Sequence, residues 1–178
     1  MISLILDTRS CMRELLLRET FDPFLLIEGE ITTFNKFTLD GYIRRDFYED
    51  QGSGEGRTDV SERTGDGDPT AREDDFSSWK VLREFCLSIM KGKRTPLDFK
   101  LVFSLSQRDI RRLIRSKELD FDPGIVQGLY LNFRFDGERL VCITGTSYRT
   151  FTMDKSLEQA FDQWVKEYFT GRGIEWES

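Results

Sequence analysis

Seven basic residues carry the most legible chemistry in this chain: Lys91, Lys93, Arg94, Arg108, Arg111, Arg112 and Arg115. The last four recur at i, i+3, i+4 and i+7, so a helix displays them as one stripe. Phosphate backbones and other polyanions require such clusters, because each contact neutralises a charge and releases a counterion. The plainer reading is a solvated polar helix face. Lys91–Lys117 holds nine basic and two acidic residues, a net +7. The opposite pole is Glu49–Asp75, which has ten acidic residues and three arginines, a net −7. Five glycines and only two apolar residues, Val60 and Ala71, complete the contrast. Such a segment cannot bury a core and is expected to be a disordered acidic loop over 49–75. Its charge also suggests a gate, lying on the basic patch with a contact that salt weakens.

Other chemistries are thin. The chain has no histidine, which removes Ser-His-Asp and Cys-His catalysis, His-ligated zinc and the usual neutral-pH base. Carboxylates, lysine and tyrosine remain usable, but no catalytic residue is assigned. Cys11, Cys86 and Cys142 are widely spaced and form no CxxC pair, so they read as free core thiols. Asp66, Asp68, Thr70 and Asp74 fit part of a calcium loop, but Ala71 stands where glycine is needed and Ser77 where glutamate is needed. Gly92-Lys93-Arg94-Thr95 lacks the upstream glycine of a phosphate loop. Thr144-Gly145-Thr146-Ser147 reads as a polar turn, and Asp7 as a helix cap. No metal or cofactor is expected.

These residues need elements to hold them. Ile2–Leu6 reads as a strand, and 8–18 as a helix with Met12, Leu15 and Leu16 inward. Phe24–Ile27 and Ile31–Leu39 read as strands, the second turning through Asp40-Gly41 into Tyr42-Ile43. From 77 to 90, Trp79, Leu82, Phe85, Cys86, Ile89 and Met90 recur at helical spacing, and Gly92 ends the helix. Leu97–Leu105 is a strand, and Ser106 caps the arginine helix, whose inner stripe is Ile110, Leu113 and Ile114. Asp122-Pro123-Gly124 turns the chain into Val126–Phe135, which alternates as a half-buried strand should. Asp136-Gly137 leads to Arg139–Thr144, which Gly145 breaks before another strand at Tyr148–Met153. A final helix starts near Asp154 or Ser156, buries Leu157, Ala160, Phe161, Trp164, Val165 and Tyr168, and closes at Gly171.

Leu4-Ile5-Leu6 aligns with Leu101-Val102-Phe103, and Phe37-Thr38-Leu39-Asp40-Gly41 with Phe133-Arg134-Phe135-Asp136-Gly137. Two units, 1–92 and 97–171, thus share the order strand, helix, hairpin, helix within one domain over 1–178. This implies an α+β fold: a mostly antiparallel twisted sheet with helices on one face. The element order is loosely similar to the TATA-binding-protein saddle and the sliding-clamp fold. KGKRTPLDFKLVFSLS (Lys91–Ser106) and GTSYRTFTMDKSLEQAFDQWV (Gly145–Val165), with EGEITTFNKFTLDG (Glu28–Gly41), resemble an uncharacterised bacterial family of conserved domains of unknown function. That resemblance spans most of the chain outside the acidic segment and implies no activity, ligand or active site.

No apolar run is long enough to span a membrane and no signal-peptide core is visible, so a cytoplasmic, membrane-free protein is expected. The expected function is a non-catalytic binding or protein-interaction module with a protein partner. The alternatives are a nucleic-acid or polyphosphate binder using the basic patch 91–117 gated by the acidic loop, and a small carboxylate-using enzyme. Deleting residues 50–74 should leave a near-neutral domain that binds single-stranded or duplex nucleic acid more tightly at the lower of two salt concentrations. Binding by that variant that is insensitive to salt, or no binding, ends the nucleic-acid reading.

Overall fold

A computed structural model describes residues 1–49, 75–92 and 94–178. The chain runs through β1 (Ser3–Leu6), α1 (Thr8–Leu16), β2 (Leu25–Thr32), β3 (Lys36–Asp40), the short α2 (Asp46–Glu49) and α3 (Trp79–Met90). It continues through β4 (Asp98–Ser104), α4 (Gln107–Ser116), a 3-10 turn (Pro123–Ile125), β5 (Val126–Phe135), β6 (Leu140–Tyr148), α5 (Ser156–Gly171) and β7 (Trp176–Glu177). The strands form one open sheet in the order β3-β2-β4-β5-β6-β1-β7. Every pair is antiparallel. This is the expected α+β fold. No helix among the described residues is long and apolar enough to cross a membrane.

Period-two alternation decides which sheet face is buried. Phe99, Leu101 and Phe103 of β4 pair with Phe135, Phe133 and Leu131 of β5, and all six are buried. Leu140 and Cys142 of β6 continue the row to Leu6 and Leu4 of β1. Between them, Lys100 opposes Arg134 and Val102 opposes Asn132 on the face away from the helices. The helices close the core from the other side. Leu15, Trp79, Cys86, Ile110, Leu113, Leu157, Phe161, Val165 and Phe169 join the same buried cluster.

Phe103 is the point where these layers meet. Its ring lies 4.9 Å from Trp79, 5.6 Å from Phe133, 5.9 Å from Phe21 and 6.4 Å from Phe24, centroid to centroid. Trp79 also donates its indole N–H to the Leu15 carbonyl at 2.7 Å, which ties α3 to α1. Removing a buried Phe ring costs about 3–5 kcal/mol in general. The thiols are core filler as expected: Cys11, Cys86 and Cys142 are all free and buried. Burial pushes the Cys86 thiol up to about 12 and raises those of Cys11 and Cys142 well above their ordinary value, so none is a ready nucleophile.

Several local expectations change. Asp40-Gly41 is not a hairpin turn. The β2–β3 hairpin turns earlier, at residues 33–35, where the Thr33 N–H donates to the Asn35 carbonyl at 3.0 Å. Gly41 instead sits where three segments crowd. Its N–H donates to Ile27 O, and its carbonyl accepts from Ser77 N, beside Leu26. A Cβ there would lie 1.7 Å from the Leu26 carbonyl oxygen. Gly145 does not break a strand: it pairs with Tyr130 inside β6, so residues 144–147 are strand rather than turn. No strand forms at Tyr148–Met153; β6 ends at Tyr148, and Phe151 and Met153 are exposed. Phe85 is 63% exposed, so the inner face of α3 is narrower than its spacing suggests. α5 ends at Gly171, but Gly173, at φ +70°, is the residue that takes the left-handed turn beyond it. The edge strand β7 pairs with β1 and is too short to show a period in sequence.

The two sequence halves occupy the sheet differently. β4, β5 and β6 are consecutive neighbours, whereas β1 lies at the far end from β2 and β3. Apart from its end residues Glu49 and Asp75, the acidic segment lies outside the described residues, as do its expected disorder and gating.

Gly41→Ala should destabilise the fold by about 3 kcal/mol or more, since the clash is with backbone that cannot move aside. Gly171→Ala, which meets nothing within 4 Å and needs no left-handed φ, should be neutral or stabilise by up to about 1 kcal/mol. Urea unfolding with an unchanged m-value checks both. Asp7 caps α1 by accepting from Ser10 N at 2.7 Å, and that bond holds its carboxyl below the ordinary 3.8. A depressed folded pKa contributes stability above the unfolded value that is lost as pH falls through the folded one. Asp7→Ala should therefore lose about 1 kcal/mol at neutral pH. Asp7→Asn should keep neutral stability but show a shallower decline below pH 3.8, measured by unfolding at stepped pH.

Candidate functional site

The basic residues singled out in sequence occupy two places. α3 ends at Lys91, whose backbone turns extended while its N–H still reaches Leu87 O at 2.7 Å. The chain then returns to the sheet, where Leu97 N donates to Thr32 O at 2.9 Å. That bond brings the end of α3 against the tip of the β2–β3 hairpin. Between them lies a groove of about 540 Å³, lined among others by Phe34, Ile89, Met90, Lys91, Arg94 and Leu97. Phe34 at the hairpin tip is 88% exposed and Leu97 is 65% exposed. Lys91 and Arg94 are exposed beside them, and Lys93 lies outside the described residues.

The arginine stripe is built as its spacing predicts. Ser106 accepts from Asp109 N at 3.1 Å and starts α4. Ile110, Leu113 and Ile114 are buried, so Arg108, Arg112 and Arg115 project outward, with Arg111 half-buried. Arg112 is paired with Asp109 at 3.2 Å. Lys91 and Arg94 precede β4 and α4 follows it. The seven residues of β4 therefore hold the two sets about 20 Å apart. The structure brings the four arginines together and keeps Lys91 and Arg94 away from them.

Sequence reasoning missed Phe34 and Leu97. In sequence, Phe34-Asn35 reads as part of one long strand, although Asn at a turn is the available signal. It also missed Arg172, which lines a second cleft with Arg112, Trp164 and Tyr168. No periodicity links residues on α4 to the end of α5.

Among the described residues, the carboxylates with shifted pKa values are all held low. Asp7, Asp40, Asp136 and Asp154 accept backbone N–H groups, from Ser10, Tyr42, Arg139 and Ser156 respectively. Glu30 is lowered by Lys36, Glu158 by the Met1 ammonium, and Glu167 by Gln163 and Lys117. A carboxyl acting as a general acid near neutral pH needs the opposite shift, so these groups serve as caps and ion-pair partners. Among the described residues, no group of three or more Cys, Asp or Glu is arranged to hold a metal ion.

No curated protein and no solved structure matches the chain. A family model described as "Family of unknown function (DUF5721)" matches residues 14–177. That span takes in both basic sets, the hairpin groove and every strand but β1, and the chain belongs to this family of unknown function.

Proposed function

We propose that the protein is a non-catalytic, cytoplasmic interaction module that docks an acidic protein segment in the groove between the β2–β3 hairpin tip and the end of α3. The observation that carries this reading is the pairing of Phe34 and Leu97, both largely exposed, with Lys91 and Arg94 on one groove of about 540 Å³. Exposed aromatic and aliphatic anchors with a charged rim are the usual anatomy of a protein interface. Two cations beside the anchors favour a partner that offers Asp or Glu next to an apolar side chain. An extended polyanion is less well served, because the basic residues sit at opposite ends of β4.

Peptide-display selection against the full chain should return sequences that combine an apolar residue with adjacent Asp or Glu. Phe34→Ser with Leu97→Ser should weaken a selected peptide by about 30-fold or more, as loss of an interface anchor does. Lys91→Glu with Arg94→Glu should weaken it and remove its salt dependence. Selected peptides without acidic residues, or unchanged affinity in both double variants, would refute the reading.

A further inference from the structure

A separate feature lies on the other side of the helix layer, between α4 and α5. Phe161, Trp164 and Tyr168 of α5, followed by Arg172 just past its end, stack into a column. Phe161 and Trp164 lie 6.0 Å apart at 16°, and Trp164 and Tyr168 lie 4.9 Å apart at 24°. The Arg172 guanidinium caps the column, 5.3 Å from the Tyr168 centroid. Phe24 meets Tyr168 nearly edge-on at 5.7 Å, and the Tyr168 hydroxyl donates to Thr20 O. The Tyr168 end of the column is therefore held by Arg172, Phe24 and the Thr20 carbonyl.

Trp164, Tyr168 and Arg172 of this column form one wall of a cleft of about 360 Å³, with Pro23 and Phe24 beside them and Leu113 and Arg112 of α4 opposite. Stacking engages the faces of Trp164 and Tyr168, so the rings offer the cleft mainly their edges, which carry the positive end of the aromatic quadrupole. A guanidinium stacked on a ring keeps its in-plane N–H groups available as donors. Arg112 brings a second guanidinium. Among the described residues, Asp109 is the one acidic group lining the cleft. Its two oxygens already accept from Arg112 at 3.2 Å and from the Ser106 hydroxyl at 2.9 Å. The flanking charges are neutralised in pairs, Lys117 with Glu167 at 3.1 Å and Arg83 with Asp22 at 3.0 Å. An apolar wall, two guanidinium groups and one engaged carboxylate make a cleft that is positive and only partly wet.

We infer that this cleft binds a small organic anion, with a compact apolar body against Phe24, Trp164 and Leu113 and a single carboxylate or phosphate held between Arg112 and Arg172. The cavity is large enough for a ring-sized body, at the small end of ligand pockets. Neither half of such a ligand suffices alone. A bare oxyanion wastes the apolar wall, and a neutral ring brings no anion to the two guanidinium groups.

Isothermal titration of the full chain tests this with four probes: 2-naphthoate, phenyl phosphate, 2-naphthol and inorganic phosphate. At least one of the first two should bind about tenfold or more tighter than both single-feature controls, and the stronger of the two identifies the headgroup. Arg112→Gln and Arg172→Gln should each weaken that binding by about tenfold, the typical loss of a charge-assisted hydrogen bond. Arg139→Gln, an exposed arginine in the β5–β6 turn, should leave it unchanged. Tryptophan emission should change on binding, and Trp164→Phe, which keeps the column apolar, should abolish that change. Three results overturn the proposal: equal binding of 2-naphthol and 2-naphthoate, wild-type affinity in a folded Arg112→Gln/Arg172→Gln variant, or no binding of any probe at millimolar concentration.

Discussion

Phe103 is fully buried on the interior strand β4, and the rest of the structure is arranged around it. From that one ring the contacts fan out to Phe21 and Phe24 in the link after α1, to Trp79 at the start of α3 and to Phe133 on β5. Phe133 in turn meets Phe169 on α5. β4 is also the strand that joins the β2–β3 hairpin to the β5–β6 meander. Sheet order and helix docking are thereby coupled. If β4 slipped by one residue, Phe103 would face the side away from the helices, which would lose their common anchor.

The same strand governs the charge distribution. In sequence, Lys91 to Arg115 is one basic stretch. In space, β4 is a rod of about 20 Å that carries its two ends apart. Each end then acquires different neighbours. Lys91 and Arg94 meet the exposed apolar residues of the hairpin tip, while Arg112 meets the aromatic column of α5. One run of charge thus becomes two surfaces with different chemistry: a groove that sets two cations beside exposed apolar residues, and a smaller cleft between helices.

Elsewhere many of the described ionisable groups are committed, some locally and some across the chain, as Asp22 is to Arg83 and Glu167 to Lys117. Carboxylates cap helix starts and turns, or pair with a cation a few residues away, as Asp40 does with Arg44 and Glu30 with Lys36. Such exposed pairs contribute little stability each, but they leave the sheet's face away from the helices a patchwork rather than a field of one sign. The thiols lie in the core, where desolvation keeps them protonated. Among the described residues, the distinctive surface chemistry of the two clefts is therefore cationic and apolar.

Local patterning alone determined much of this protein. Helical spacing marked α3, α4 and α5, alternation marked β5, and Asp7 and Ser106 announced their helices because a cap is satisfied by residues only three positions away. Gly137, at φ +99°, turns the β5–β6 hairpin as its Asp-Gly pair implied. Spacing failed where the deciding neighbour is distant in the chain. Gly41 reads as a turn residue, yet its constraint is a backbone carbonyl fifteen residues earlier, at Leu26. Gly145 reads as a breaker, yet it pairs with Tyr130 across a ladder. Phe85 has helical spacing, yet among the described residues no element covers it. The arginine stripe was legible because one helix makes it. Its separation from Lys91, the exposure of Phe34 and the meeting of Arg112 with Arg172 were not, because each depends on which strands and helices become neighbours. Only tertiary packing settles that.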